Sequence, residues 1–470
     1  MGIECMDWPL LVGQGRIAGP LLLAIGVLLV SGAWRSQRWS QSEIVKRGTR
    51  VVADHRAIRI WPGGYALQRA GHPRAALVLG GVGLARLDET RHFKLIGTTG
   101  TGKSTAIAAL MAGALERGDR AVVTDPDGGY RGRFYDGRRG DVILNPFDVA
   151  SAQWNIFAEI RSGYDADQIA SALIPGSDDP SGREWRGYAR TLLTALLRRC
   201  YERRCGNSAE LWRLLAVASS RELRSLVQGT PAQPFLEPDN ARMLGSIRSV
   251  AASAASALQY LKAAAGDGFS VRNWVRSGRG VLFIPYEAGQ IAALRSVIAA
   301  WVRLAIFEAM SGPDRDQRLW FVMDELDALG AVDGLKDALA RLRKFGGRCV
   351  LGFQSVAQVA STYGAGDAQT IIENCGNTLI LRCSGSDSGG TAHFASRLIG
   401  DRELLRQQTS RGRDRQGLFA GRGQRLSTQT TVQQVTEAAI MPSQLEQLPD
   451  LVGYFKTASA RRWRRITLVH

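Results

Sequence analysis

The stretch HFKLIGTTGTGKSTAIAALMAGAL, running from His92 to Leu115, decides how the chain is read. An apolar run (Phe93, Leu95, Ile96) stops at Gly97, and an alanine- and leucine-rich helical run follows Ser104. Between them lies Gly97-Thr98-Thr99-Gly100-Thr101-Gly102-Lys103-Ser104, the full G-x-x-x-x-G-K-[ST] pattern between a strand and a helix. Small residues here let successive N–H groups turn inward onto phosphate oxygens, and the helix N-terminus adds its positive dipole end. Residues Gly97 to Thr105 are therefore the candidate phosphate cradle, with Lys103 for the β- and γ-phosphates and Ser104 for magnesium. A glycine-rich turn of some other α/β protein would not need both end glycines, the Lys-Ser pair and these flanks together. The expectation is ATP with Mg2+.

Further along, alternating strands and helices predict a mostly parallel sheet covered by helices. The strand Arg120–Asp125 ends in Pro126-Asp127-Gly128, and Asp141–Leu144 closes at Asn145-Pro146-Phe147. The run Gly280–Pro285 is followed by a long helix over Ala292–Met310. The buried-type strand Arg318–Met323 then ends in Asp324-Glu325. An acid at that end of a strand lies beside the phosphate loop, so Asp324 is the candidate magnesium partner through water. Glu325 is the candidate general base for the attacking water. The competing reading makes the two acids N-caps of the next helix. The strand Arg348–Phe353 ends in Gln354, an amide placed to sense the γ-phosphate. Arg341, Arg343 and Lys344 cluster upstream on a helix end, and in a ring one of them can serve a neighbouring subunit's site. Spacing does not say which.

The divisions are 1–34 as a transmembrane anchor, 35–90 as a juxtamembrane linker with first strands, and 91–152 as the first part of the nucleotide domain. Residues 153–274 are an inserted all-α domain, 275–455 the second part of the nucleotide domain, and 456–470 a basic tail. The linker carries the short runs Ala57–Trp61 and Ala75–Leu79. In the insertion, Arg183, Arg186, Arg190, Arg198, Arg199, Arg203 and Arg204 form either a basic binding surface or an ordinary solvated helix face. The stretch Arg406–Thr430 is polar and rich in glycine and arginine. The tail, with Arg461-Arg462-Trp463-Arg464-Arg465, either holds a phosphate backbone or membrane surface or is a frayed terminus.

Ile17–Ala33 is uncharged and close to one membrane span, followed by Trp34, Trp39 and several basic residues. That pattern predicts a single-pass inner-membrane anchor with the C-terminal portion in the cytoplasm. A cleaved signal peptide competes, but export would remove the nucleotide site from its nucleotide. Sixty Lys and Arg against 43 Asp and Glu give a formal charge of +17, which points to DNA or an anionic membrane as partner. Six cysteines without C-x-x-C or His spacing argue against a metal site or a disulfide frame.

Taken together, these motifs resemble those of the type IV coupling proteins, most closely their TrwB/TraD branch. The resemblance rests on Asp125-Pro126-Asp127-Gly128, Trp154-Asn155-Ile156-Phe157, Asn145-Pro146-Phe147-Asp148, Asp324-Glu325, Gly352-Phe353-Gln354-Ser355 with Gln358, Met441-Pro442 and Leu448-Pro449-Asp450. It runs from about Arg91 to Tyr454. It implies a RecA-like P-loop NTPase domain, α/β in class, with an inserted all-α domain, in a membrane-anchored homo-hexamer. Its implied work is ATP-driven passage of relaxase-bound DNA (the relaxosome) into a type IV secretion channel. By the same resemblance Lys103 and Ser104 match phosphate and magnesium positions, Gln354 a sensor, Arg343 the finger arginine and Arg91 a further nucleotide-proximal arginine. Members of this branch usually carry two N-terminal spans, and this sequence shows one.

Three other readings compete. An ATP-gated membrane adaptor would recruit DNA or protein cargo with little turnover, yet it has no use for a water-activating acid such as Glu325. An FtsK-like chromosomal translocase usually has more spans and a C-terminal DNA-reading domain, and the helical insertion points away from it. A metabolic enzyme lacks a second substrate motif and leaves the charge unexplained.

Overall fold

Short runs of consecutive apolar residues suit strands covered on both faces, and such runs make the centre of this protein. The computed structural model describes residues 43–53, 77–176, 179–204, 207–262, 268–312, 318–386, 389–413 and 426–469. The strands in chain order are β1 (Glu43–Gly48), β2 (Val51–Ala53), β3 (Val78–Leu79), β4 (Val82–Gly83), β5 (Phe93–Ile96), β6 (Arg120–Pro126), β7 (Val142–Ile143) and β8 (Val281–Tyr286). They continue with β9 (Leu319–Met323), β10 (Gly347–Phe353), β11 (Asn377–Ile380), β12 (Asp401–Arg413), β13 (Leu426–Ala438), β14 (Val452–Lys456) and β15 (Trp463–Thr467). Among the described residues two units separate, one within 51–398 with 440–469, the other 43–50 with 399–413 and 426–439.

The larger unit holds a ten-stranded sheet in the order β2-β15-β14-β11-β5-β10-β9-β6-β8-β7. From β11 to β7 every pairing is parallel, so all these strands end on one edge. Only β14 runs against that direction. The strands β5, β8, β9, β10 and β11 are buried along their whole length. The helix Lys103–Glu116 packs Ala106, Ile107, Leu110 and Met111 into a core with Phe93, Val123, Phe283, Trp320 and Phe455.

Residues 456–470 were expected to be a basic tail, but Trp463–Thr467 is an interior strand between β14 and β2. Trp463 and Ile466 are buried while Arg464 and Arg465 between them are exposed. Two adjacent arginines break the alternation that marks a strand in sequence. The stretch 406–430 also differs from its polar appearance. In the smaller unit β12 and β13 form a regular antiparallel ribbon, in register from Asp401↔Ala438 to Arg413↔Leu426, with β1 paired to β12. Runs such as Thr428-Gln429-Thr430-Thr431 have strand propensity but no apolar face to reveal a period of two. Of the linker runs, Val78–Leu79 pairs with β4, and Ala57–Trp61 lies outside the described residues. So does Ile17–Ala33; among the described residues no helix is long and apolar enough to cross a membrane.

Between β7 and β8 the described residues are mainly helical. Its helices Pro180–Glu202, Ser208–Ala216, Ser220–Val227 and Val271–Ser277 are each capped by the preceding Asp179, Asn207, Ser219 or Ser270. At the neck Trp154 bridges Phe269, and Asn155 N–H donates to Phe269 O at 2.9 Å. The buried Glu159 carboxylate ties this neck, accepting from Trp154 Nε1 (2.8 Å), Ser270 Oγ (3.0 Å), Val271 N (2.6 Å) and Arg272 N (3.1 Å). Several of the arginines read as a surface work internally. Arg186 and Arg190 donate to Pro175 O (2.9 Å) and Ile174 O (2.6 Å), and Arg199 to Gln228 O (2.7 Å).

The amino edge of the sheet holds buried charge. Arg117 grips both oxygens of Glu89 at 2.7 and 2.6 Å and also Asp119 at 2.6 Å. Arg348 Nε reaches Glu89 at 3.0 Å, and Trp320 Nε1 reaches Asp119 at 2.9 Å. Close by, His92 Nδ1 accepts the Cys349 N–H at 3.1 Å, which leaves Nε2–H to donate to Leu339 O at 2.9 Å. Burial, only partly opposed by the Leu339 bond, lowers its pKa from 6.5 to about 4.

Two outcomes follow from this edge. Glu89→Ala leaves the Arg117 and Arg348 guanidiniums in a dry site without their shared acceptor, so it should cost about 3–5 kcal/mol in chemical denaturation. His92 stays neutral in the folded chain while the unfolded chain takes up a proton below 6.5. Its stabilisation is complete above pH 6.5 and is lost as pH falls toward about 4, reaching roughly 2 kcal/mol by pH 5. Unfolding measured at pH 7.5 and pH 5 should therefore show a steeper loss for the parent chain than for His92→Gln; equal losses would refute a neutral, buried imidazole.

Candidate nucleotide site at the carboxyl edge of the sheet

The order β5-β10-β9 puts one strand between the glycine loop and the acid pair. Registers Phe353↔Ile96 and Leu351↔Met323 bring Gly97, Gln354 and Asp324 to the same edge. The loop ends at Gly102, whose φ of +111° is left-handed, and a Cβ there would lie 2.8 Å from Leu451 Cδ2. Only glycine suits that position. The helix that begins at Lys103 receives no side-chain cap, so its first-turn donors suit an anion.

Two segments from the far end of the sequence hold the loop. Thr98 N donates to Arg382 O at 2.9 Å, and Leu451 N donates to Thr101 O at 2.9 Å. Leu451 does so with φ +63°, just after Asp450, which pairs with Arg382 at 2.8 Å. Leu448-Pro449-Asp450 thus has a physical role as a brace. Arg382 and Leu451 carry no chemical signal of their own in sequence, and only pairing across the sheet reveals them.

Lys103 is buried, and its Nζ donates to Gly97 O (2.7 Å) and Thr98 O (3.0 Å). Burial lowers its pKa, opposed by the Asp324 and Glu325 carboxylates. Ser104 Oγ donates to Asp324 Oδ2 at 2.9 Å. Asp324 Oδ1 accepts the Glu325 N–H at 3.1 Å. Gly352 on β10 makes room for that carboxylate, since a Cβ there would sit 2.6 Å from Oδ1. Tyr130, which sequence reading passed over, adds its phenol to Asp324 Oδ2 at 2.7 Å.

Glu325 has φ +57°, a conformation that turns it out of line with the strand. Its Oε1 accepts from Gln354 Nε2 at 3.2 Å, and Gln354 Oε1 accepts from Thr99 Oγ1 at 3.2 Å. One amide therefore joins the tip of the glycine loop to the acid. Burial raises the Glu325 pKa, and the Asp324 charge raises it further. A carboxylate held this way takes up protons more readily than an ordinary glutamate, which suits a base.

The structure thus gathers Gly97 to Thr105, Asp324, Glu325 and Gln354. It does not bring Arg91 or Arg343 to them. Arg91 precedes β5 and Arg343 precedes β10, so both lie at the amino edge, across the sheet from this site. Arg343 is exposed. Among the described residues no cluster of three or more His, Cys, Asp or Glu could hold a metal, and Cys200, Cys349, Cys375 and Cys383 are buried free thiols.

Comparison with known proteins agrees with this geometry. The family model described as type IV secretion-system coupling protein DNA-binding domain matches residues 76–469. The coupling protein TraD of Escherichia coli K12 is 33% identical over 392 residues, 80% of this chain and 52% of TraD. The type IV secretion system-coupling protein VirD4 of Bartonella henselae is 23% identical over 274 residues, 51% of this chain and 42% of VirD4. The chain thus spans about half the length of the curated relatives it matches. Among solved structures, the unbound monoclinic form of the bacterial conjugative coupling protein TrwBdeltaN70 superimposes with TM-score 0.77 at 31% identity, covering 90% of this chain and 93% of that one. The plasmid coupling protein TrwB in complex with ADP and Mg2+ gives TM-score 0.76 at 30% identity, covering 90% and 94%. An α/β RecA-like nucleotide-binding fold, this set of loop and acid residues, and a family match over most of the sequence lead to one assignment: the chain belongs to the type IV secretion-system coupling proteins, in the branch of TraD and TrwB.

Proposed function

We propose that this protein is the motor of a conjugative type IV secretion system, an ATPase that moves DNA. The observation that carries the proposal is the chain of contacts Ser104–Asp324–Glu325–Gln354–Thr99, which closes the glycine loop onto an acid fit to activate water. A TrwB structure with ADP and Mg2+, and another with an ATP analogue, support the choice of nucleotide. The donor set also fits: a serine hydroxyl and a carboxylate are hard oxygen ligands of the kind magnesium takes along with water.

Bound magnesium nucleotide supplies the γ-phosphoryl group and the metal charge that draws electrons from it. The residues of this chain do the rest. Lys103 and the loop Gly97–Thr105 hold the phosphates, and Ser104 with Asp324 holds the metal. Gln354 Nε2 keeps Glu325 Oε1 occupied, so Oε2 is the atom that accepts the proton of the attacking water. Arg343 and Arg91, at the opposite edge of their own sheet, serve the site of the next subunit in a homo-hexameric ring, Arg343 as its finger. The +17 charge supports a DNA partner. Ile17–Ala33 anchors the protein by one pass in the inner membrane, with the motor in the cytoplasm. The cargo is relaxase-bound DNA, delivered to the components of the secretion channel.

Two measurements test this. In full-length, membrane-embedded protein, ATP hydrolysis should rise with DNA and the stimulation should weaken as salt increases. Glu325→Gln should lower turnover about 10²–10⁴-fold while nucleotide still binds, and Lys103→Ala should weaken nucleotide binding itself. Nucleotide binding with background turnover on every DNA would instead favour the ATP-gated adaptor. Arg343→Ala should also be inactive alone, on the scale of about 10³-fold or more. Mixing Arg343→Ala with Glu325→Gln subunits should restore activity, because some interfaces then join an intact Glu325 to an intact Arg343. Mixtures as inactive as their parents would refute action between subunits.

A further inference from the structure

We infer that Tyr130 is a positioning residue for magnesium, acting through the carboxylate of Asp324. The inference rests on the nucleotide reading above. It begins with Asp125, wholly buried at the end of β6. Asp125 Oδ1 accepts the Tyr130 N–H at 2.9 Å, and Oδ2 accepts the Arg131 N–H at 2.6 Å. Those bonds fix the start of the short helix Gly129–Phe134, and Asp127 (φ +57°) and Gly128 (φ +68°) supply the tight turn before it. The Tyr130 side chain is 5% exposed, so packing as well as backbone anchoring sets its direction.

That direction ends on the metal-side acid. Tyr130 Oη donates to Asp324 Oδ2 at 2.7 Å, the oxygen that also takes Ser104 Oγ–H at 2.9 Å. The other oxygen, Oδ1, is held by the Glu325 N–H at 3.1 Å. Rotation of the carboxylate about its Cβ–Cγ bond would break the Tyr130 contact, because Tyr130 is held on a separate element by its own bond to Asp125. Ser104 donates to the same oxygen, and its own oxygen lone pairs are left for the metal, so Tyr130 is the holder of Oδ2 that has no metal-ligating role. Asp125, Asp324 and Glu325 crowd negative charge here. A phenol steadies Asp324 without adding a cation that would compete with magnesium, and outer-sphere donors of this kind tune metal affinity.

Tyr130→Phe keeps the ring and removes only the donor. The test uses the full chain and a fluorescent ADP analogue, with affinity measured in EDTA and again across a magnesium titration. Tyr130→Phe should raise the magnesium concentration for half-maximal enhancement of binding about tenfold or more. Its affinity in EDTA should stay within about twofold of the parent chain, and its thermal midpoint should stay close. A purely structural role would lower both affinities together, and that result overturns the inference. So does a magnesium midpoint equal to that of the parent chain. If the parent chain itself binds the analogue without regard to magnesium, the nucleotide-site reading fails and takes this inference with it. Asp125→Asn keeps one acceptor for the turn and should shift the magnesium midpoint in the same direction by less; no shift, or one as large as that of Tyr130→Phe, would count against the route through Asp125.

Discussion

The hydrogen bond from Ser104 to Asp324 joins residues 220 positions apart, and most of the larger unit exists to make it possible. It requires β5 and β9 to run parallel with one strand between them, and it requires both to end on the same edge. Parallel strands need crossovers, so the helix after the glycine loop and the long helix before β9 are consequences of the same demand. The strand left in between, β10, then ends beside both partners. That is why Gln354 can bond to Thr99 on one side and Glu325 on the other.

The two edges of the sheet divide the work. The carboxyl edge carries the glycine loop, the acids and the phenol, and much of it is held by polar side chains bonded to main chain. The amino edge carries the buried cluster of Glu89, Asp119, Arg117 and Arg348, with His92 nearby. His92 is the residue before β5, and its ring is fastened to Leu339, in the helix whose end bears Arg343. In the ring proposed above, the amino edge of one subunit would face the carboxyl edge of the next. Arg343 is exposed on the far side of its own sheet, as that proposal requires.

The central readings of the site were legible because their chemistry needs particular residues at particular spacing. The glycine and Lys-Ser spacing of Gly97 to Ser104 is a local pattern, and so is an apolar strand that ends in two acids. Tyr130, Arg382, Leu451 and Glu159 were not legible. Each acts through bonds to residues far away in sequence, and a single tyrosine or leucine carries no periodic signal. Arg91 and Arg343 were named by resemblance, which could not say that both would lie across the sheet from the loop of their own chain. The strand at Trp463–Thr467 and the ribbon of β12 and β13 escaped because charge and polarity hid the alternation on which strand recognition depends.

The sequence by itself determined the nucleotide loop, the acid pair, the alternation of strand and helix, and the helical character of the insertion. These follow from backbone sterics and from hydrophobic periods that act over a few residues. Tertiary structure alone decided which strand lies between loop and acid, which residues brace the loop, and that Tyr130 reaches Asp324. Those outcomes depend on strand order and register, and the burial that fixes them is summed over the whole sheet, with no single segment recording it.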